Sequence, residues 1–109
     1  MGVLGGYEER AERARELVLE AWSLVSEACR SSCARDVCED LEDPLAAVMD
    51  EAEEAARLPG PWLSLPSAQA AARRLEEAAR ELEERGCREE AGLLREAARR
   101  LHMADALGG

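Results

Sequence analysis

Apolar residues return every three or four positions along most of the chain, the repeat of a helix that buries one face. Over about residues 8–33 the stripe Leu17, Ala21, Leu24 and Ala28 runs beside a second one, Val18, Trp22, Val25, Cys29 and Cys33. Two adjacent stripes make a face wider than the usual ~100°. The pattern therefore asks for cover on both sides, from the rest of the chain or from a second copy. In the second case Val18, Trp22 and Val25 are the expected interface of a homodimer.

A polar stretch from Asp36 to Asp43 follows, and Leu45, Val48, Met49, Ala52 and Ala56 then continue at helical spacing over 43–57. That helix starts near Asp43, or earlier if Leu41 joins its stripe. Residues 58–66 hold Pro59, Gly60, Pro61 and Pro66, which no regular helix accommodates, so this is the connector where the chain turns back. Its Trp62, Leu63 and Leu65 are expected to cap the open end of the core, ahead of the other reading as an exposed partner-docking patch. A third helix over 67–85 begins after a serine cap, Ser67 or Ser64, and turns Ala71, Leu75, Ala78 and Leu82 inward, with Glu76 to Arg80 and Glu81 to Arg85 as surface pairs. Gly86 ends it. The fourth helix, 88–107, carries Leu94, Ala97, Ala98 and Leu101.

The expected fold is all-α: one domain spanning 1–109, built as an antiparallel four-helix bundle of two hairpins running up-down-up-down. That topology places the first and third connections at the same end. Cys29 and Cys33 close helix one, Cys38 lies in the first connection and Cys87 follows Gly86, so all four cysteines share that end.

Composition supports helices over strands. Aromatic residues make up 3% of the 109 residues, and Phe, Ile and Thr are absent. All 14 basic residues are Arg, and Lys and Asn are missing too, so the arginine preference follows a coding bias and is poor evidence for phosphate recognition. No run approaches the ~18 apolar residues of a membrane span, and Met1 to Gly6 lacks the basic flank and apolar core of a secretory signal. Gly6 stands where a myristoylation pattern wants Ser or Thr. The expected setting is cytoplasmic, with no membrane contact. The closing Gly108-Gly109 reads as a frayed helix end.

Four thiols at one end of a bundle suit a tetrahedral site for zinc or an iron–sulfur cluster, with Cys29, Cys33, Cys38 and Cys87 as ligands. Their spacing matches neither zinc ribbons nor ferredoxins. Two other readings stand beside this one: reduced cysteines packed as small hydrophobes, and disulfides or thiol switching with three possible pairings. A reducing compartment weighs against permanent bridges.

Of the net charge of −10, residues 36–56 contribute −9, through Asp36, Glu39, Asp40, Glu42, Asp43, Asp50, Glu51, Glu53 and Glu54 with no Arg between them. Such a surface repels nucleic acid and attracts a basic protein, and Asp50, Glu51, Glu53 and Glu54 are the expected partner-binding residues. Solubility is the plainer role of such a face.

Catalytic searches find little. A di-iron carboxylate site needs two Glu-x-x-His pairs, and the single histidine, His102, has Arg99 three residues before it. Zinc-protease, P-loop, dinucleotide and EF-hand patterns are missing. An Ala-lined core leaves little room for a ligand pocket.

Two local resemblances remain. From Ala72, the small residues Ala79, Ala91 and Ala98 and the turn from Glu84 to Ala91 fall where a tetratricopeptide repeat places them, so the last hairpin resembles a single such unit. Arg88 and Arg95 replace its usual aromatic residues, no second copy is present, and no function carries over. Arg95 and His102 have the Arg-x(4 to 6)-His spacing of HEPN ribonucleases, so helix four is similar to that family at these two positions. The resemblance implies an RNA-cleaving role as a third reading. The expected function is a protein-interaction or assembly module with an acidic face, ahead of a cysteine-based metal-binding or redox-sensing module.

Overall fold

The computed structural model describes the backbone of residues 2–57 and 65–108 and the side chains of 9–57 and 65–107. Among the described residues the chain is all-helical, with α1 (Gly2–Cys29), a 3-10 turn (Ser32–Ala34), α2 (Arg35–Cys38), α3 (Glu42–Arg57), α4 (Pro66–Glu84) and α5 (Arg88–Gly108). α1 packs against α5 and α3, and α4 packs against α5 and α3. Each long helix thus has two long neighbours, and one core runs between them.

That core is lined by Leu17, Leu75, Leu82, Leu94 and Leu101, with alanines between them on every long helix. Small residues let the helix axes approach, while leucines fill the gaps in low-energy rotamers. No polar or charged residue is buried among the described residues. The inward stripes of α4 and α5 are those the periodicity picks out. On α3 the stripe is Leu45, Val48 and Ala52, continued by Leu41 just before the helix, while Ala56 is exposed.

The wide face of α1 is covered from within. Val18 is 0% exposed and Val25 5%, both inside the chain's own core. Of the three residues expected at a dimer contact, only Trp22 keeps surface. The exposed large hydrophobics among the described residues are instead Leu19 and Met103.

α1 begins at Gly2, about two turns before the start near residue 8 that the apolar repeat marks, and two further helix ends differ from the periodicity for a local cause. α1 stops at Cys29 instead of running to residue 33, because Ser31 is extended (φ −78°, ψ 136°) and its hydroxyl oxygen accepts from the Cys33 N–H at 3.3 Å. A serine that satisfies backbone groups locally competes with the helix. The polar stretch beyond it then winds a further turn, α2, before Leu41 inserts into the core.

α4 begins at Pro66 with Leu65 in the cap position, so no serine caps it. Proline loses nothing at a first helical position. The free N–H groups are met from other helices: Leu65 N–H donates to Asp105 Oδ1 of α5 at 2.7 Å, and Ser67 N–H to Glu51 Oε1 of α3 at 3.2 Å. The Ser67 hydroxyl also donates to Glu51. Two carboxylates at the positive end of a helix suit its dipole. The capping expected of Trp62 and Leu63, the alternative cap Ser64 and the final Gly109 lie outside the described residues.

Candidate functional site at the cysteine end and the acidic face

Backbone chemistry brings the cysteines together. Gly86 has φ +87°, Gly86 N–H donates to Glu83 O at 3.0 Å, and Cys87 N–H donates to Leu82 O at 2.8 Å. This is the Schellman ending of α4, and it seats Cys87 immediately before α5. Cys29 is the last residue of α1, Cys38 the last of α2, and Cys33 sits in the 3-10 turn that Ser31 starts.

The four sulfurs lie at disulfide distance in two pairs, Cys29 with Cys38 and Cys33 with Cys87. The Cα separations of 5.9 and 6.4 Å fall in the range a bridge spans. Sequence topology predicts the shared end but leaves the pairing open, and the turns at Ser31 and Gly86 decide it. A four-thiolate zinc or iron–sulfur site at Cys29, Cys33, Cys38 and Cys87 needs four free thiolates around one point, whereas the sulfurs here stand in two close pairs. Among the described residues no group of three or more His, Cys, Asp or Glu is placed to hold a metal ion.

Arg85, at the end of α4, ties this end together. Its guanidinium holds Asp36 of α2 in a two-pronged pair at 2.8 Å per contact, reaches the Cys33 carbonyl at 3.4 Å, and meets Glu81 one turn back at 2.8 Å. The fork shape of Arg suits such bidentate contacts. Hydrogen bonding from Arg85 holds the Asp36 carboxyl below its ordinary range, and Asp36 in turn raises Arg85 further. The Ser31 hydroxyl lowers Glu90 in the same way. Of the surface pairs expected on α4, Glu81 to Arg85 is present, whereas Glu76 reaches across to His102 of α5 at 3.3 Å.

The acidic segment behaves differently from the other helices. Arg13 pairs with Glu16 and Glu20 on α1, Arg100 with Glu20 and Glu96, and Arg95 of α5 with Glu83 of α4. Within 36–56, only Asp36 takes part in an ion pair among the described residues. Asp50, Glu53 and Glu54 are exposed along α3, while Glu51 is half-buried and engaged with Ser67. The four residues expected to bind a partner therefore divide: three face solvent and one holds the start of α4.

Arg95 and His102 each face α4 and are taken up by Glu83 and Glu76. No helix of the described residues is long and apolar enough to cross a membrane. Comparisons with models of protein families, with curated proteins and with solved structures find no match to this chain.

The sequence foretells the Glu81–Arg85 pair but not the reach of Arg85 to Asp36 and the Cys33 carbonyl, nor that of Glu51 to Ser67. Arg85 follows the end of α4 and Glu51 lies in the middle of α3, and only the three-dimensional neighbourhood separates them from the other surface charges.

Proposed function

We propose that this chain is a small protein-interaction module whose α2–α3 surface engages a basic partner. The observation that carries the reading is the lack of compensation: among the described residues eight of the nine acids in 36–56 make no ion pair and no Arg lies between them, while Arg13 of α1 and Arg95, Arg99 and Arg100 of α5 pair with acids of α1, α4 and α5. Unpaired like charges along one face cost self-repulsion, and a cationic partner relieves it and is steered to the face.

The arrangement best supported is an up-down-up-down bundle of the four long helices, with α2 inserted in the first connection. Supports for it are the ring of neighbours, the short turn at Gly86, and a molecule 52 Å long and 19 Å across in both other directions, about two helix diameters.

An arginine–glycine peptide titrated calorimetrically is the test. Binding weakens as salt rises, and D50N/E53Q/E54Q weakens it further; binding unchanged in that variant overturns the reading. Glu51 is left intact because its loss would disturb the start of α4.

A second reading is a thiol switch, favoured by the pairing of all four sulfurs at disulfide distance. The cytoplasmic setting goes with reversible bridges, and permanent ones go with an oxidising compartment. Counting free thiols in protein alkylated at the moment of cell lysis separates the two.

A further inference from the structure

Between α1 and the α2–α3 segment lies a groove of about 260 Å³, lined by Trp22, Val25, Ser26 and Cys29 of α1 and by Cys38, Glu39, Glu42 and Leu45. Its volume is below the ~300 Å³ at which pockets for whole small molecules begin, and suits a single side chain. The walls are of two kinds. One is an indole with aliphatic and sulfur neighbours; the other is a pair of carboxylates without an ion pair among the described residues. No arginine of the chain lines it.

We infer that this groove is the anchor site for one arginine side chain of the basic partner. The inference rests on the interaction reading above and adds to it where the partner inserts and which residue it inserts. An arginine has the complementary makeup: an apolar stem that lies along the half-buried Trp22, Cys29 and Cys38, and a planar cation that an indole attracts and carboxylates fork. A lysine shares the charge but not the planar head, so it binds the groove more weakly. A purely apolar side chain leaves Glu39 and Glu42 facing it without a partner, and an acidic one is repelled. Charge complementarity thus selects the occupant, and the unpaired acids of α3 supply the steering that delivers it.

The test is a pair of titrations followed by amide and indole NMR shifts, using the peptide acetyl-Gly-Gly-Arg-Gly-Gly-amide and its lysine counterpart. With the arginine peptide, saturable shifts are expected at the Trp22 indole N–H and at residues 25, 39, 42 and 45. W22A should weaken binding about fivefold or more. Because Trp22 also packs on the core, E39Q/E42Q at the exposed edge is the second variant, and it should weaken binding without altering the fold. D50N/E53Q/E54Q should lower the association rate more than the final affinity. Saturable shifts confined to residues 50–54, or binding indifferent to both W22A and E39Q/E42Q, overturn the groove and leave the acidic-face reading standing. No saturable shift with the single-arginine peptide also overturns it, and the arginine–glycine peptide then judges the acidic face alone.

Discussion

Two residues hold the cysteine end by different physics. Gly86 sits at φ +87°, a region that side chains with a Cβ enter only at a cost, although nothing lies within 4 Å of where that Cβ would be. G86A should therefore destabilise the chain through backbone strain alone, by about 1–2 kcal/mol. Urea unfolding measures it, and an unchanged midpoint would contradict the left-handed turn. Arg85 acts through charge. Since it lowers the Asp36 carboxyl in the folded state, the pair's contribution is present above the ordinary carboxylate range and fades as pH falls from that range through the depressed value. An NMR titration of the Asp36 side-chain carbon should show a midpoint below the usual one, and R85A should return it there. A midpoint that R85A leaves in place would contradict the pairing.

Among the elements, the helices most legible in the sequence are those with one clean stripe. Leu75 and Leu82 on α4 and Leu94 and Leu101 on α5 are fully buried where their spacing puts them. Periodicity reads such positions because one face sees the core and nothing else competes. It fails where a local hydrogen bond outweighs the repeat, as at Ser31, where the Cys33 N–H is satisfied outside the helix. It fails again at the start of α4, whose N–H groups are met by Glu51 and Asp105, residues distant in sequence. The candidate site divides along the same line. Shared location of the cysteines follows from topology, whereas their pairing depends on the turns at Ser31 and Gly86.

The bridges belong to this scale as well. A bridge between Cys33 and Cys87 would close a loop of 54 residues and tie the 3-10 turn to the start of α5, while one between Cys29 and Cys38 would close only 9. By loop-closure entropy the longer bridge contributes about 4 kcal/mol and the shorter about 2.5. C33S/C87S should therefore lower the thermal midpoint more than C29S/C38S, and scanning calorimetry should rank them in that order. The reverse ranking would contradict the pairing.

As a whole the molecule is a narrow helical rod with its charge unevenly matched. Arg13, Arg95, Arg99 and Arg100 pair with acids of α1, α4 and α5, whereas among the described residues Asp36 alone of the acids in 36–56 is in an ion pair, although Arg73 and Arg74 of α4 border the groove that holds Glu39, Asp40 and Asp43. Net charge alone would make any acidic protein bind an arginine-rich peptide to some degree. A local, unpaired face makes a sharper claim: where the charges sit matters more than how many there are.

The direct measurement is calorimetric binding of the arginine–glycine peptide to two variants with the same net charge. One is D50N/E53Q/E54Q on α3; the other is E9Q/E84Q/E89Q, at exposed positions outside the acidic segment. The account predicts a marked loss of affinity for the first and affinity close to the parent for the second. Equal losses in the two would contradict it, since the peptide would then be reading total charge and not this surface.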